Sequence, residues 1–276
     1  MTTSIAQDPI GWICETCGVQ STPSVLPPSR CLICSDERQY VGWDGQRWAA
    51  PADLRISQQV AFTDEDGVTT LVLAPGFGIN QRAFLIPHAG GNVMWECLAT
   101  VTDEAVARIN ELGGVTAIAI SHPHFYAAMV EWSAALGDVP IYLHAEDRDW
   151  IQRTSPNIRL WRGDRLELAA SIELVHLGGH FDGSAGLWWT DGPRGGGALF
   201  PGDAIQIVMD RRFATFMYSY PNAIPLGPRA LLDLQRRVAP LAFDDVFGFS
   251  TGRQMIGGAK AAIDKSFDRY RSAIAA

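Results

Sequence analysis

The chain has 276 residues, 47% of them hydrophobic, and a formal net charge of −8 at pH 7. That length suits one large domain plus a small one, and the acidic balance, with no basic block, argues against nucleic acid and anionic membranes as partners. No run approaches the ~18 apolar residues of a membrane span, and residues 1–9 lack the basic start and apolar core of a secretory leader, so a cytoplasmic location is expected.

Residues 1–50 read as a unit of their own, with residues 51–276 as the main domain. Cys14-Glu15-Thr16-Cys17 and Cys31-Leu32-Ile33-Cys34 are two C-x-x-C pairs with 13 residues between them. In a reducing compartment paired cysteines point to metal before disulfide, and this spacing suits four thiolates on one ion. The stretch resembles a zinc ribbon and also the short rubredoxin-like knuckle, whose metal is iron; four thiolates accept either. A structural role is expected, because so short a segment needs a staple in place of a core. Trp12, Tyr40, Trp43 and Trp48 are expected to pack on the knuckle or its neighbour.

Residues 53–99 read as a β-meander, with apolar runs at 69–73, 83–87 and 92–95 separated by glycine and proline. His88 falls in a glycine turn, and Cys97 reads as a small core residue. Thr102 caps a helix in which Ala105, Val106, Ile109 and Leu112 share a face, and Gly113-Gly114 stops it. A strand at 115–120, a helical stretch to about 136 and a strand at 141–144 form a βαβ pattern. Strand-like runs resume at 158–161, 166–168, 172–177, 187–190 and 198–200. A helix at 228–238, a strand at 245–249, and a last helix with Ile263, Phe267, Tyr270 and Ile274 on one face complete the chain.

The strand at 115–120 ends in His122-Pro123-His124. Residues i and i+2 of an extended segment point the same way, so both imidazoles can reach one point. Two later apolar runs end in ligand types as well: His180 in Gly178-Gly179-His180-Phe181-Asp182-Gly183-Ser184, and Asp203 after Pro201-Gly202. Open α/β folds place their ligands at such strand ends. Three neutral imidazoles and a carboxylate suit Zn²⁺, Fe²⁺ or Mn²⁺.

On these motifs the chain, from about residue 52 to 276, resembles the metallo-β-lactamase superfamily. His122-Pro123-His124 stands for the first half of its H-x-H-x-D-H signature, residues 179–184 for its G-H-T-x-G-S turn, and Gly202-Asp203 for its bridging aspartate. The resemblance implies an α/β fold, an αββα sandwich of two sheets between helices, and a one- or two-metal hydrolase, some members being oxidoreductases. Tyr126 and Ala127 occupy the positions of the signature's Asp and His, and Ser250-Thr251-Gly252 stands where its last histidine is expected. The residues peculiar to a second metal are therefore missing, which leaves a single-metal site of His122, His124 and His180 with Asp203 nearby.

Three imidazoles leave one tetrahedral position for water, which zinc makes nucleophilic near neutral pH. Asp203 is the candidate to bind the metal or to accept from that water, and Tyr126 reads either as a hydrogen-bond donor to an oxyanion or as a packed aromatic with no part in the chemistry. His144 reads as a rim residue or as an orienting partner of a ligand, and His176 as a packed side chain. Tyr218, Tyr220, Asn222 and Arg253 lie in loops that would border the cleft. The leading reading is a one-zinc hydrolase of a small ester, thioester, lactone or similar substrate. The alternatives are a mononuclear iron oxidoreductase using His122, His180 and Asp203, with the knuckle as electron relay, and a non-catalytic member that binds a ligand or a partner. A homodimer is the base-rate expectation for such a chain.

Overall fold

The computed structural model describes residues 8–274; the reading of residues 1–7 as free of a leader lies outside them. In the N-terminal knuckle, β1 (Ile13–Cys14) pairs antiparallel with β2 (Trp48–Ala49). The indoles of Trp12 and Trp48 donate to the carbonyls of Ser24 and Pro28, within the knuckle. Trp43, by contrast, does not pack; its side chain is fully exposed, and Tyr40 is 46% exposed.

A short helix α1 (Pro51–Ser57), started by a proline in its first turn, leads into the first sheet. Strands β3 (Gln59–Glu65), β4 (Val68–Ala74), β5 (Arg82–His88) and β6 (Gly91–Trp95) form the expected meander. β7 (Val115–Ala119), β8 (Ile141–His144) and β9 (Ile158–Trp161) add to it in parallel. The crossovers are α2 (Asp103–Glu111), whose first turn is capped by Thr102 Oγ1 accepting from Ala105 N, and α3 (Met129–Ala135).

The second sheet begins with β10 (Arg165–Ala169), β11 (Ile172–His176), β12 (Ala185–Trp189) and β13 (Ala198–Phe200), all antiparallel. The chain then leaves the sheet through two small hairpins, β14 (Gln206–Ile207) with β15 (Ala214–Thr215) and β16 (Met217–Ser219) with β17 (Ile224–Pro225). After α4 (Pro228–Val238) it returns with β18 (Asp245–Phe247), parallel to β13, and β19 (Gln254–Ile256), and it closes with α5 (Ala259–Ile274).

Side-chain alternation divides the core into three layers. Phe84, Ile86, Val93, Trp95 and Ala119 of the first sheet meet Ile172, Leu174, Leu187, Phe200 and Phe247 of the second. The intervening Ala83, Leu85, Met94 and Ile118 face α2 and α3 and share one cluster with the knuckle's four cysteines and Ile33. On the far side Val175, Leu199 and Val246 pack under α4 and α5, which contribute Leu231, Leu234, Ile263 and Phe267. This is the expected αββα sandwich. Among the described residues no helix is long and apolar enough to cross a membrane.

Candidate metal centres and their cleft

Three strand ends deliver the histidine site. His122 and His124 follow β7, His180 lies four residues past β11, and Asp203 three past β13. All four are buried, and their donor atoms lie within 4.8 Å of one another. His180 Nε2 is 3.3 Å from His124 Nδ1, and Asp203 Oδ2 is 3.5 Å from His122 Nε2 and 3.9 Å from both of the others. A tetrahedron with metal–nitrogen bonds of about 2.05 Å has edges of about 3.3 Å, so a small contraction would close this set on one ion. His122 Nε2 and Asp203 Oδ1 are buried with no hydrogen-bond partner. Polar atoms orphaned in this way are costly, and a cation relieves the cost.

The ring tautomers agree with that use. His180 Nδ1 faces the carbonyl of Met217 at 3.3 Å, which can only accept, so that ring donates there and turns its Nε2 lone pair inward; His122 Nδ1 shares a 2.7 Å hydrogen bond with Ser121 Oγ, a hydroxyl that can accept from it in the same way. Burial lowers the pKa of His124 to about 4, keeping the ring neutral as a ligand must be. Burial acts to raise the Asp203 carboxyl, but the His122, His124 and His180 rings beside it override that and hold the group well below the ordinary carboxylate range.

Around these four lies a frame that no local motif announces. Glu96 leaves β6 with a left-handed φ of 70°, a strained value for a side-chain residue. Its Oε2 accepts from Ser121 N at 3.0 Å, next to the hydroxyl that holds His122. Burial pushes the Glu96 carboxyl up to about 8. Asp147 Oδ1 accepts from Gly183 N at 2.7 Å and so braces the His180 turn. A Cβ on Gly183 would stand 2.7 Å from the Asp147 carboxyl carbon, so glycine is needed there. Tyr220 donates to the Asp203 carbonyl at 2.9 Å and lays its ring 5.7 Å from that of His180.

The second centre is the knuckle. Its four sulfurs are buried and free of disulfides, with Cys14 Sγ 3.6 Å from Cys34 Sγ and Cys17 Sγ 3.7 Å from Cys31 Sγ. A disulfide would need about 2.05 Å, whereas a tetrathiolate ion with 2.3 Å bonds needs edges of about 3.8 Å. Gln46 Nε2 donates to Cys14 Sγ at 3.2 Å, as thiolate sites require of their surroundings. Both clusters thus have the donor sets and spacing of metal sites.

Two expectations need correction. The Tyr126 hydroxyl does not reach the histidine site: the single turn of 3-10 helix after His122 swings the ring into the core, where the hydroxyl points at the Asp147 carbonyl at 3.4 Å. His144 is not beside the site either. It is buried in a stack with His176, ring centroids 4.0 Å apart, and Glu146 completes a separate trio. Of the loop residues, Tyr220 and Asn222 line the cleft over His124, His180 and Asp203. Tyr218 donates to Glu37 instead, and Arg253 to the Ile207 carbonyl.

YmaE of Bacillus subtilis (strain 168), an uncharacterized protein, is 41% identical over 266 residues, covering 95% of this chain and 96% of its own. The chain belongs to the YmaE family. A scan of protein-family models finds none that matches. Among solved structures, the DIM-1 metallo-β-lactamase superposes with a TM-score of 0.56 at 12% identity, over 78% of this chain and 98% of its own. A metallo-β-lactamase from Erythrobacter litoralis gives 0.56 at 14% identity, over 77% and 96%. FIM-1 of Pseudomonas aeruginosa, in its mono-zinc form, gives 0.53 at 12% identity, over 78% and 96%. The fold is that of the metallo-β-lactamases.

Against that fold the departures noted in the sequence acquire positions. Ala127 is buried, and Phe249, which precedes Ser250, lines the cleft and meets the Phe125 ring edge-on at 6.0 Å. Among the described residues, no further histidine, cysteine or carboxylate joins the cluster of His122, His124, His180 and Asp203.

Proposed function

We propose that the chain is a small-molecule hydrolase that works with one metal ion, held by His122, His124 and His180 with Asp203 beside them. The observation that carries this reading is the convergence of four buried donor atoms on one point at the floor of an open cleft of about 750 Å³. A protein of the same fold that is named in a mono-zinc form supports a single ion. Zinc so held supplies Lewis acidity and lowers the pKa of water to about 7.

The chain's own residues supply the rest. Asp203 remains an anion, and its partner-free Oδ1 is placed to accept a hydrogen bond that orients the nucleophile. Met217 and Ser121 fix the rings of His180 and His122, so the site is rigid before substrate arrives. The knuckle, loaded with zinc or iron, is structural in this reading. A panel of p-nitrophenyl esters, lactones and thioesters, assayed with the zinc-loaded chain and with His122→Ala, tests the activity. Turnover by the first that disappears in the second is expected; no turnover on any member would count against a hydrolase.

One contact favours a second reading, the mononuclear iron oxidoreductase. The Gln81 amide joins the carbonyls of Cys17 and His124, a short route between knuckle and histidine site. Iron at both centres of the purified protein would select that reading.

A further inference from the structure

The cleft has a wall that does not come from the sandwich. Residues 36–43, running out of the knuckle after Cys34, lie along it, and Gln39, Tyr40, Val41 and Trp43 face the same space as His124, His180 and Asp203. Three of the ten large hydrophobic side chains exposed among the described residues are Tyr40, Val41 and Trp43. The three residues before them are anchored. Asn222 Nδ2 donates to the carbonyls of Glu37 and Gln39 at 2.8 and 3.0 Å, and the Arg38 guanidinium lies 3.9 Å over the Phe181 ring. Apolar side chains held in water beside an anchored backbone mark a contact surface.

The charges around the cleft narrow what that surface contacts. No lysine or arginine lines it, and Asp203 is its one carboxylate. The two nearby arginines are engaged elsewhere: Arg38 is paired with Asp36 at 2.6 Å, and Arg253 is bonded to the Ile207 carbonyl. An anionic substrate would find none of the cationic side chains that sites for carboxylates and phosphates use. Gln39 adds a polar requirement. It is buried, it faces the cleft, and its Oε1 has no hydrogen-bond partner. A buried amide of this kind, which offers both a donor and an acceptor, calls for a hydrogen-bonding group on the ligand.

We infer that the cleft takes an uncharged small molecule whose apolar, aryl-sized body rests on Tyr40 and Trp43 and whose polar group hydrogen-bonds to the Gln39 amide. The inference rests on the proposed hydrolase only for where the reacting bond lies, at the histidine site. Recognition by the wall needs no turnover.

The test is therefore a binding measurement. 2-Naphthamide and its anionic counterpart 2-naphthoate are titrated calorimetrically into the knuckle-loaded chain carrying His122→Ala and His180→Ala, so that no ion captures the carboxylate. Naphthamide should bind at least about tenfold more tightly than naphthoate, and Trp43→Ala should weaken naphthamide about tenfold with no change in Tm, since the ring is exposed. Gln39→Leu should remove most of the preference for naphthamide over 2-ethylnaphthalene, which lacks a hydrogen-bonding group. The Trp43→Ala comparison is repeated in the otherwise unaltered chain and should give the same ratio. Naphthoate binding as tightly as naphthamide, or naphthamide affinity indifferent to Trp43→Ala in both backgrounds, would overturn the inference. Failure of the ester and lactone panel alone would overturn only the hydrolase reading.

Discussion

The backbone carbonyls of Cys17 and His124 share one donor: Gln81 Nε2 lies 2.5 Å from the first and 3.1 Å from the second. A knuckle cysteine and a histidine-site residue, far apart in sequence, are thereby fixed to one buried side chain. The approach is close enough to dictate sequence. A Cβ on Gly18, whose φ is +78°, would come within 2.9 Å of the Gln81 amide, and one on Gly78 within 2.8 Å of Gly18 N. Gln81→Leu should lower the affinity of the histidine site for zinc by about tenfold, the range seen when partners outside the ligand set are lost. Competition against a chromophoric chelator measures it, and unchanged affinity would mean that the two centres are mechanically independent.

Gly183→Ala should act on the same site from the other side. The added methyl cannot fit against Asp147, so the turn that carries His180 must shift. Zinc affinity at the histidine site is expected to fall by about 10- to 100-fold while the knuckle keeps its ion. Cobalt substitution separates the two, because only the thiolate site gives intense sulfur-to-cobalt charge-transfer bands. Parallel loss of both spectra would point to general unfolding.

Arg82 is fully buried on β5, where it pairs with Glu65 at 2.6 Å and donates from Nε to the Gly248 carbonyl at 2.9 Å. It pins the cleft-bordering loop after β18 to the first sheet. Removing one partner strands a buried charge, so Glu65→Gln or Arg82→Leu should cost about 3 kcal/mol in urea unfolding. A loss below ~1 kcal/mol would show the pair to be no better than a surface contact.

Glu96 gives stability a pH dependence of definite sign. Burial raises its folded pKa from 4.5 to about 8, so the native state holds a proton that the unfolded state releases. The contribution is fully present below about pH 4.5 and is lost as pH rises through 8. Relative to Glu96→Gln, the wild type should therefore lose up to about 4 kcal/mol between pH 5 and pH 9. Unfolding midpoints of the pair at the two pH values measure it; a difference that stays flat or grows in favour of the wild type would contradict the account.

What the sequence made legible was local. The strand at 115–120 stops at His122-Pro123-His124, the two C-x-x-C pairs have a fixed spacing, and both motifs read correctly as metal-ligand patterns because neighbouring residues share one geometry. The sandwich followed from the order of apolar runs, although β3, a half-exposed strand, was hidden by its mixed polarity. The frame of the site was not legible. Glu96 meets Ser121, Asp147 meets Gly183 and Gln81 meets Cys17 across separations of 25, 36 and 64 residues, with no pattern to join them. Trp43 illustrates the same limit: an aromatic residue near a small core is expected inside, yet here the backbone at Glu37 and Gln39 is tied to the cleft by Asn222 and the ring of Trp43 faces water. Tyr126 stands at the signature's Asp position, but a signature position does not say where a longer side chain goes, and after the 3-10 turn the phenol packs in the core.

The most direct test of the account is elemental analysis of the protein purified without added metal, compared with the His122→Ala/His180→Ala variant. The account predicts two metal ions per chain, one in the cysteine knuckle and one in the histidine site, falling to one in the variant. One ion per chain that is indifferent to the substitutions, with zinc titration of the wild type revealing no second site, would contradict a metal centre at His122, His124 and His180. Three ions per chain would contradict the single-metal reading.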